Sequence, residues 1–216
     1  MGRYDLVIFD LDGTIADTSP GILNSIRYVQ KQMGLPEITL EQMYSHVGPP
    51  MEESYRRNFW LEGEELRRAV ELHKEYAVKQ GYREIEVYPG IPQLLGRLHE
   101  EGVKTAVATL KAQATAEKIF AEFGLSRMFY LVLGTDAAAP KTKAQLLEEC
   151  LIKLSCAKER AVLVGDSKYD AEGAQQAGID FIAVTYGFGF KRAADAVVYS
   201  PVAVCDKVDA IGKFLK

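Results

Sequence analysis

Two hydrophobic periods alternate along most of the chain. Residues 6–9, 105–108, 130–133, 161–164 and 179–184 are short apolar runs rich in β-branched side chains, which predicts strands buried on both faces, the pattern of a parallel sheet. Between them, residues 91–101, 113–123, 143–154 and 169–177 place apolar side chains three and four apart, the spacing of the crossover helices in βαβ units. From about Pro20 to Tyr82 the alternation stops. Ile22, Ile26, Val29 and Met33 form one apolar stripe that ends at Gly34 and Pro36, and residues 66–78 form a second. Residues 40–47 and 51–59 lie between these stripes, parted by Gly48-Pro49-Pro50. This stretch predicts helices alone, inserted into an α/β core directly after its first strand.

The totals narrow the class. With 216 residues, 48% hydrophobic and 26% charged, the chain has an ordinary globular composition and room for one large domain or a core with a smaller insert. A net charge of −4, without long runs of like charge, argues against a nucleic-acid polymer as partner. Cys150, Cys156 and Cys205 show no CxxC spacing, so they are expected as free, buried thiols of a reducing, cytoplasmic protein. The first residues lack the apolar segment of a signal peptide, and no stretch approaches about 20 apolar residues, so no membrane partner is expected. His46, His73 and His99 show no paired spacing, and no phosphate-binding G-x-x-x-x-G-K-S/T occurs. Tyr55 and Trp60, in helical surroundings, are expected to pack inside.

Candidate chemistry collects at strand ends. The first strand runs into Asp10-Leu11-Asp12-Gly13-Thr14, and ligands of open α/β sheets bind outside the carboxyl ends of strands. Alternation can aim both acids at one site while Leu11 packs away, although a strand followed by an Asp/Gly turn reads the same way. A later strand ends in Gly165-Asp166-Ser167-Lys168-Tyr169-Asp170. There Asp166 and Asp170 are one helical turn apart, and Asp166 and Ser167 are also good helix caps. Carboxylates converging from two strands repel one another unless a cation neutralises them, and an all-oxygen set suits Mg²⁺. Thr109 and the Leu110 backbone N–H, at a third strand end, suit a phosphate oxygen. A lysine from Pro140-Lys141-Thr142-Lys143 can pair with a carboxylate nucleophile.

Phe9-Asp10-Leu11-Asp12-Gly13-Thr14 with Ile15-Ala16-Asp17-Thr18, Val164-Gly165-Asp166-Ser167 with Asp170, and the threonine and lysine in the required order resemble the haloacid dehalogenase superfamily of phosphatases. Within it the chain is similar to the helical-cap branch that includes phosphoglycolate phosphatases and 5'-nucleotidases. The resemblance covers nearly the whole chain. It implies a Rossmann-like three-layer core with a central parallel sheet, residues 1–16 and 83–216, and an all-helical cap, residues 17–82. It also implies a Mg²⁺-dependent phosphatase acting on a small phosphate monoester through an aspartyl-phosphate. Asp10 would be the nucleophile and Asp12 the acid/base, with Mg²⁺ held by Asp10, Asp12 through its carbonyl, Asp166 and Asp170. Thr109 and Leu110 would hold phosphoryl oxygens; many relatives have Asn or Ser where Leu110 offers only its amide. The lysine is expected to be Lys143, which precedes an apolar pair at the family's spacing, with Lys141 as the alternative. Gly48 and Pro49 resemble the cap loop that faces substrate, equally a helix–helix turn, and Arg56, Arg57 and Arg83 are further candidates for a substrate anion. Tyr186-Gly187-Phe188-Gly189 fits an entrance lining or an ordinary loop. A monomer or weak homodimer is expected. A phosphosugar mutase of the same superfamily, or a phospho-accepting signalling module, are the alternatives.

Overall fold

The computed structural model describes residues 2–136 and 138–215. Six parallel strands form the central sheet in the order β5-β4-β1-β6-β7-β8. Along the chain these are β1 (Leu6–Phe9), β4 (Lys104–Ala112), β5 (Leu131–Thr135), β6 (Ala161–Gly165), β7 (Asp180–Val184) and β8 (Ala203–Cys205). Two short strands, β2 (Ala16–Asp17) and β3 (Glu86–Val87), form a separate two-stranded sheet. The connecting helices are α5 (Ile91–Glu100), α6 (Gln113–Glu122), α7 (Lys143–Lys153), α8 (Lys168–Ala177), α9 (Ala193–Val197) and α10 (Val208–Ile211).

β1 sits in the middle because its four side chains are all apolar, and none of them is exposed. Their burial contributes on the order of 6–12 kcal/mol, an upper figure because the unfolded chain is already partly collapsed. Leu6 and Ile8 face a cluster built with Leu146, Leu147 and Cys150 of α7 and Ala171 and Ala174 of α8. On the opposite face Phe9 meets Phe129 edge-on at 6.3 Å, and Phe129 meets Phe120 of α6 at 5.2 Å. Helices therefore cover both faces, as the unbroken apolar runs require. Strand order runs outward from β1 through β4 to β5, then resumes on its other side with β6, β7 and β8. Such a reversal opens a crevice at the carboxyl ends of the strands.

The chain divides into two compact units, Met1–Asp17 with Val87–Lys216, and Thr18–Glu86. The second is helical: α1 (Ser19–Met33), α2 (Leu40–Tyr44), α3 (Met51–Phe59) and α4 (Gly63–Lys79). α1 starts with Pro20 in its first turn and stops at left-handed Gly34; α2 starts with a Thr39–Gln42 capping box. α1 lies against α4, where Tyr28 and Tyr76 have ring centroids 5.4 Å apart. Fully buried Tyr55 shares a 2.9 Å hydrogen bond with Nδ1 of His73. Among the described residues no helix is long and apolar enough to cross a membrane.

Four expectations change. Trp60 is 79% exposed rather than packed, because α3 ends at Phe59 and Trp60 forms its left-handed cap, beyond the buried face. Cys156 is half-buried while Cys150 and Cys205 are buried. Helix 40–47 stops at Tyr44, where the N–H groups of Ser45 and His46 bend back to Glu41 and Met43. The strand expected to end at residue 108 runs to Ala112, its register with β5 shifting between Ala108 and Ala112. β8, α9 and α10 span only three to five residues, too short for a periodicity to register.

Candidate active site

β1 delivers Asp10 to the carboxyl edge of the sheet, where the Asp10 N–H donates to the Val164 carbonyl at 3.0 Å. The chain then turns tightly: the N–H groups of Ile15 and Ala16 both donate to the Leu11 carbonyl, at 3.0 and 3.1 Å, while Leu11 is fully buried. Gly13 makes this turn with φ +77°, and a Cβ there would lie 2.2 Å from Oδ2 of Asp166, so both backbone conformation and space require glycine. Asp12, on the other side of Leu11, is ion-paired to Lys111 of β4 at 3.0 Å.

Lys143 is the hub. It is 5% exposed; its ammonium donates to Asp10 Oδ1 at 2.7 Å and to the Ala108 carbonyl at 2.8 Å, and is ion-paired with Asp170 Oδ1 at 2.7 Å. Its stem passes over Gly173 of α8, where a Cβ would lie 2.4 Å from Lys143 Cγ. Burial works against the Lys143 charge, but the Asp10 and Asp170 carboxylates outweigh it and hold the ammonium above its ordinary range. Burial also drives the Asp10 carboxyl well above the usual carboxylate range; Lys143 opposes this without cancelling it, and Asp170 and Asp12 add to the rise. Lys141 lies elsewhere, paired with Glu149 on the exposed side of α7.

β6 brings the second pair. Asp170 closes a capping box at the start of α8, its Oδ2 accepting from the Ser167 N–H at 3.1 Å and the Ser167 hydroxyl at 2.6 Å. Ser167 is thus the helix cap, whereas Asp166, also expected as a cap, instead has its Oδ2 engaged by the Phe188 and Gly189 N–H groups. Asp166 is buried and raised above its ordinary range, first by burial and then by Asp170, while the N–H groups of Gly189 and Phe188 pull it back. One carboxylate oxygen from each of Asp10, Asp166 and Asp170 lies within 4.8 Å of the others. This hard, all-oxygen set, too repulsive to be fully ionised alone, fits a divalent cation of the Mg²⁺ kind.

Thr109, 1% exposed, follows the Ala108 carbonyl that holds Lys143, and its Oγ1 accepts from the Lys111 N–H at 3.2 Å. Leu110 leans partly buried on the α7–α8 cluster. Gly48, with φ +101°, and Pro49 belong to the helical unit, in the α2–α3 turn. There Arg57 donates to the Ser45 carbonyl at 2.6 Å, Arg56 lies 3.8 Å from Glu62, and Arg83 stacks over the Tyr82 ring. Sequence reasoning assigned no role to Lys111 or to the two amides on Asp166. A lysine two residues beyond Thr109, and the Gly-Phe-Gly segment after β7, were the available signals.

Buried acids gathered around one buried lysine at the carboxyl ends of parallel strands form the candidate catalytic site of this α/β core. The chain belongs to the haloacid dehalogenase-like hydrolase family, which it matches over residues 7–184. It is 34% identical over 212 residues to the tyrosine-protein kinase PtkA of Mycobacterium tuberculosis, covering 96% of this chain and 72% of that one. It is 30% identical to a 5'-nucleotidase of Pseudomonas aeruginosa, covering 99% and 96% of the two chains. A haloacid dehalogenase-like hydrolase from Streptococcus pneumoniae superposes with a TM-score of 0.89 at 30% identity, covering 98% and 99%.

Proposed function

We propose that this hydrolase is a Mg²⁺-dependent phosphatase that cleaves a small phosphate monoester, phosphoglycolate-like or a nucleoside monophosphate, through an aspartyl-phosphate. The observation that carries the reading is Lys143, buried between Asp10 and Asp170 with its ammonium 2.7 Å from an oxygen of each. It orients one Asp10 oxygen and places a fixed positive charge beside the carboxylate that attacks. Asp10, the Asp12 carbonyl and Asp166 would hold the cation. Asp170, both of whose oxygens already have partners, would contribute through water. Bound there, Mg²⁺ supplies positive charge that offsets the clustered carboxylates and the phosphoryl oxygens.

In the first half-reaction an Asp10 oxygen forms a bond to phosphorus as the ester oxygen leaves with a proton from Asp12. In the second, Asp12 takes a proton from water, whose oxygen displaces Asp10 and releases inorganic phosphate. Lys111 keeps Asp12 in place for both transfers. Thr109 and the Leu110 amide receive phosphoryl oxygens. The helical unit, through Gly48 and Pro49, selects the rest of the substrate.

The test is phosphate release from phosphoglycolate, nucleoside monophosphates and sugar phosphates, with Mg²⁺ or EDTA, in wild type and Asp10→Asn. Turnover that requires both Mg²⁺ and Asp10 is expected. Release that survives Asp10→Asn overturns the mechanism. Isomerised sugar phosphate without release identifies a mutase, a lasting aspartyl-phosphate identifies a signalling module, and label passing from ATP to a tyrosine peptide identifies the acceptor in the mycobacterial relative's name.

A further inference from the structure

The segment between β7 and α9 is wrapped around Asp166. The N–H groups of Phe188 and Gly189 donate to the same carboxylate oxygen, Oδ2, at 2.6 and 3.0 Å. The Phe190 N–H donates to the Asp166 carbonyl at 2.7 Å. A Cβ at Gly187 would lie 2.4 Å from that Oδ2 and 2.2 Å from the Gly13 carbonyl, so the segment touches both the nucleophile turn and the carboxylate. Its outer end is pinned: the Tyr186 hydroxyl donates to the Thr14 carbonyl at 2.9 Å, and its ring meets Tyr88 edge-on at 4.8 Å.

We propose that residues 186–189 are a positioning and metal-selecting element. They commit Oδ2 of Asp166 to two backbone N–H groups and so present Oδ1 alone to the cation. A carboxylate held this way is a one-oxygen ligand. That suits Mg²⁺, which demands compact octahedral geometry, and disfavours Ca²⁺, which gains from carboxylates that supply both oxygens. Tyr186 acts through the loop as a positioning residue, without touching the reacting atoms. The inference rests on the proposed metal site and adds which part of the chain sets that site's selectivity.

The test is binding of Mn²⁺, as a Mg²⁺ surrogate, followed by electron paramagnetic resonance, with Mg²⁺ and Ca²⁺ as competitors and no substrate present. Wild type, Tyr186→Phe and Gly187→Ala are compared. Outer partners of metal ligands typically control affinity by 10–100-fold, so Tyr186→Phe is expected to weaken Mn²⁺ binding about tenfold and Gly187→Ala about 100-fold. Both variants should also lower the Mg²⁺ preference over Ca²⁺, a ratio that a general loss of stability leaves unchanged. Tyr186→Phe removes one oxygen atom and keeps the ring, so it serves as the folded case if Gly187→Ala does not fold. Unchanged affinity and Mg²⁺/Ca²⁺ ratio in Tyr186→Phe, with metal-dependent turnover intact in wild type, overturn the inference alone. Absence of Mn²⁺ binding by wild type overturns the metal site and the inference together.

Discussion

Replacing Lys143 by methionine keeps an unbranched stem of similar length over Gly173 and removes two hydrogen bonds and a further ion pair at once. Asp10 and Asp170 are left facing each other without the ammonium 2.7 Å from each, and the Ala108 carbonyl loses its 2.8 Å donor. Breaking a buried ion pair from one side costs about 3–5 kcal/mol. An unmatched buried carbonyl adds about 1–3 kcal/mol. Protonation of a carboxyl relieves part of this, which makes the cost depend on pH. Burial already raises the folded-state Asp10 value above the unfolded one. Its contribution to stability is therefore present at low pH and lost as pH rises through the folded value, and the loss steepens without Lys143. The variant should be about 1–2 kcal/mol less stable than wild type at pH 5 and about 4 kcal/mol less stable at pH 8, in EDTA. Hydrogen exchange of peptides from β4 and β6 under increasing urea reads the core separately from Thr18–Glu86. Phosphate release should fall about 10²–10³-fold, the range for losing one preorganised charge-stabilising group. A stability difference below about 1 kcal/mol at pH 8, or one independent of pH, would refute the assignment of Lys143 as the buried counter-charge.

Gly173→Ala should destabilise the core by about 1–3 kcal/mol, measured by urea unfolding, because the new Cβ meets the Lys143 stem. Helix propensity alone would predict about 1 kcal/mol of stabilisation, so the sign of the change decides. Lys111→Met should slow hydrolysis of alkyl phosphates about tenfold and p-nitrophenyl phosphate hardly at all, since only the alkoxide needs the Asp12 proton; equal losses would separate Lys111 from proton transfer. In the helical unit, burial and then the Arg57 charge push His46 down to about 4, and neither ring nitrogen has a hydrogen-bond partner among the described residues. The unfolded chain thus binds a proton that the folded one refuses, so stability falls as pH drops from about 6.5 to about 4, by about 3 kcal/mol in all. His46→Phe should remove that slope from hydrogen exchange of α2–α3 peptides, and an unchanged slope would place the acid sensitivity elsewhere.

How much was legible depended on the range of the interaction. Strands β1, β6 and β7 and the helices from α5 to α8 could be read because each announces itself within a few residues, by an apolar run or a three- and four-residue spacing. The Asp10-Leu11-Asp12-Gly13 turn was legible for the same reason: alternation, a buried Leu11 and a positive φ at Gly13 are all local. Trp60 was misjudged because a helix cap is set by where α3 stops, which periodicity locates only loosely.

By itself, the sequence determined that acids would stand at the carboxyl ends of parallel strands, because the pattern of buried runs dictates the sheet and the sheet dictates its ligand edge. Only the tertiary structure decided which groups complete the acids. Lys143 reaches Asp10 across 133 residues of chain, whereas Lys141, two positions away, turns outward to Glu149. The Phe188 and Gly189 amides reach Asp166 from the far end of β7. Hydrogen bonds of this kind depend on angles and distances within a few tenths of an ångström, and those are set by how helices pack on the sheet.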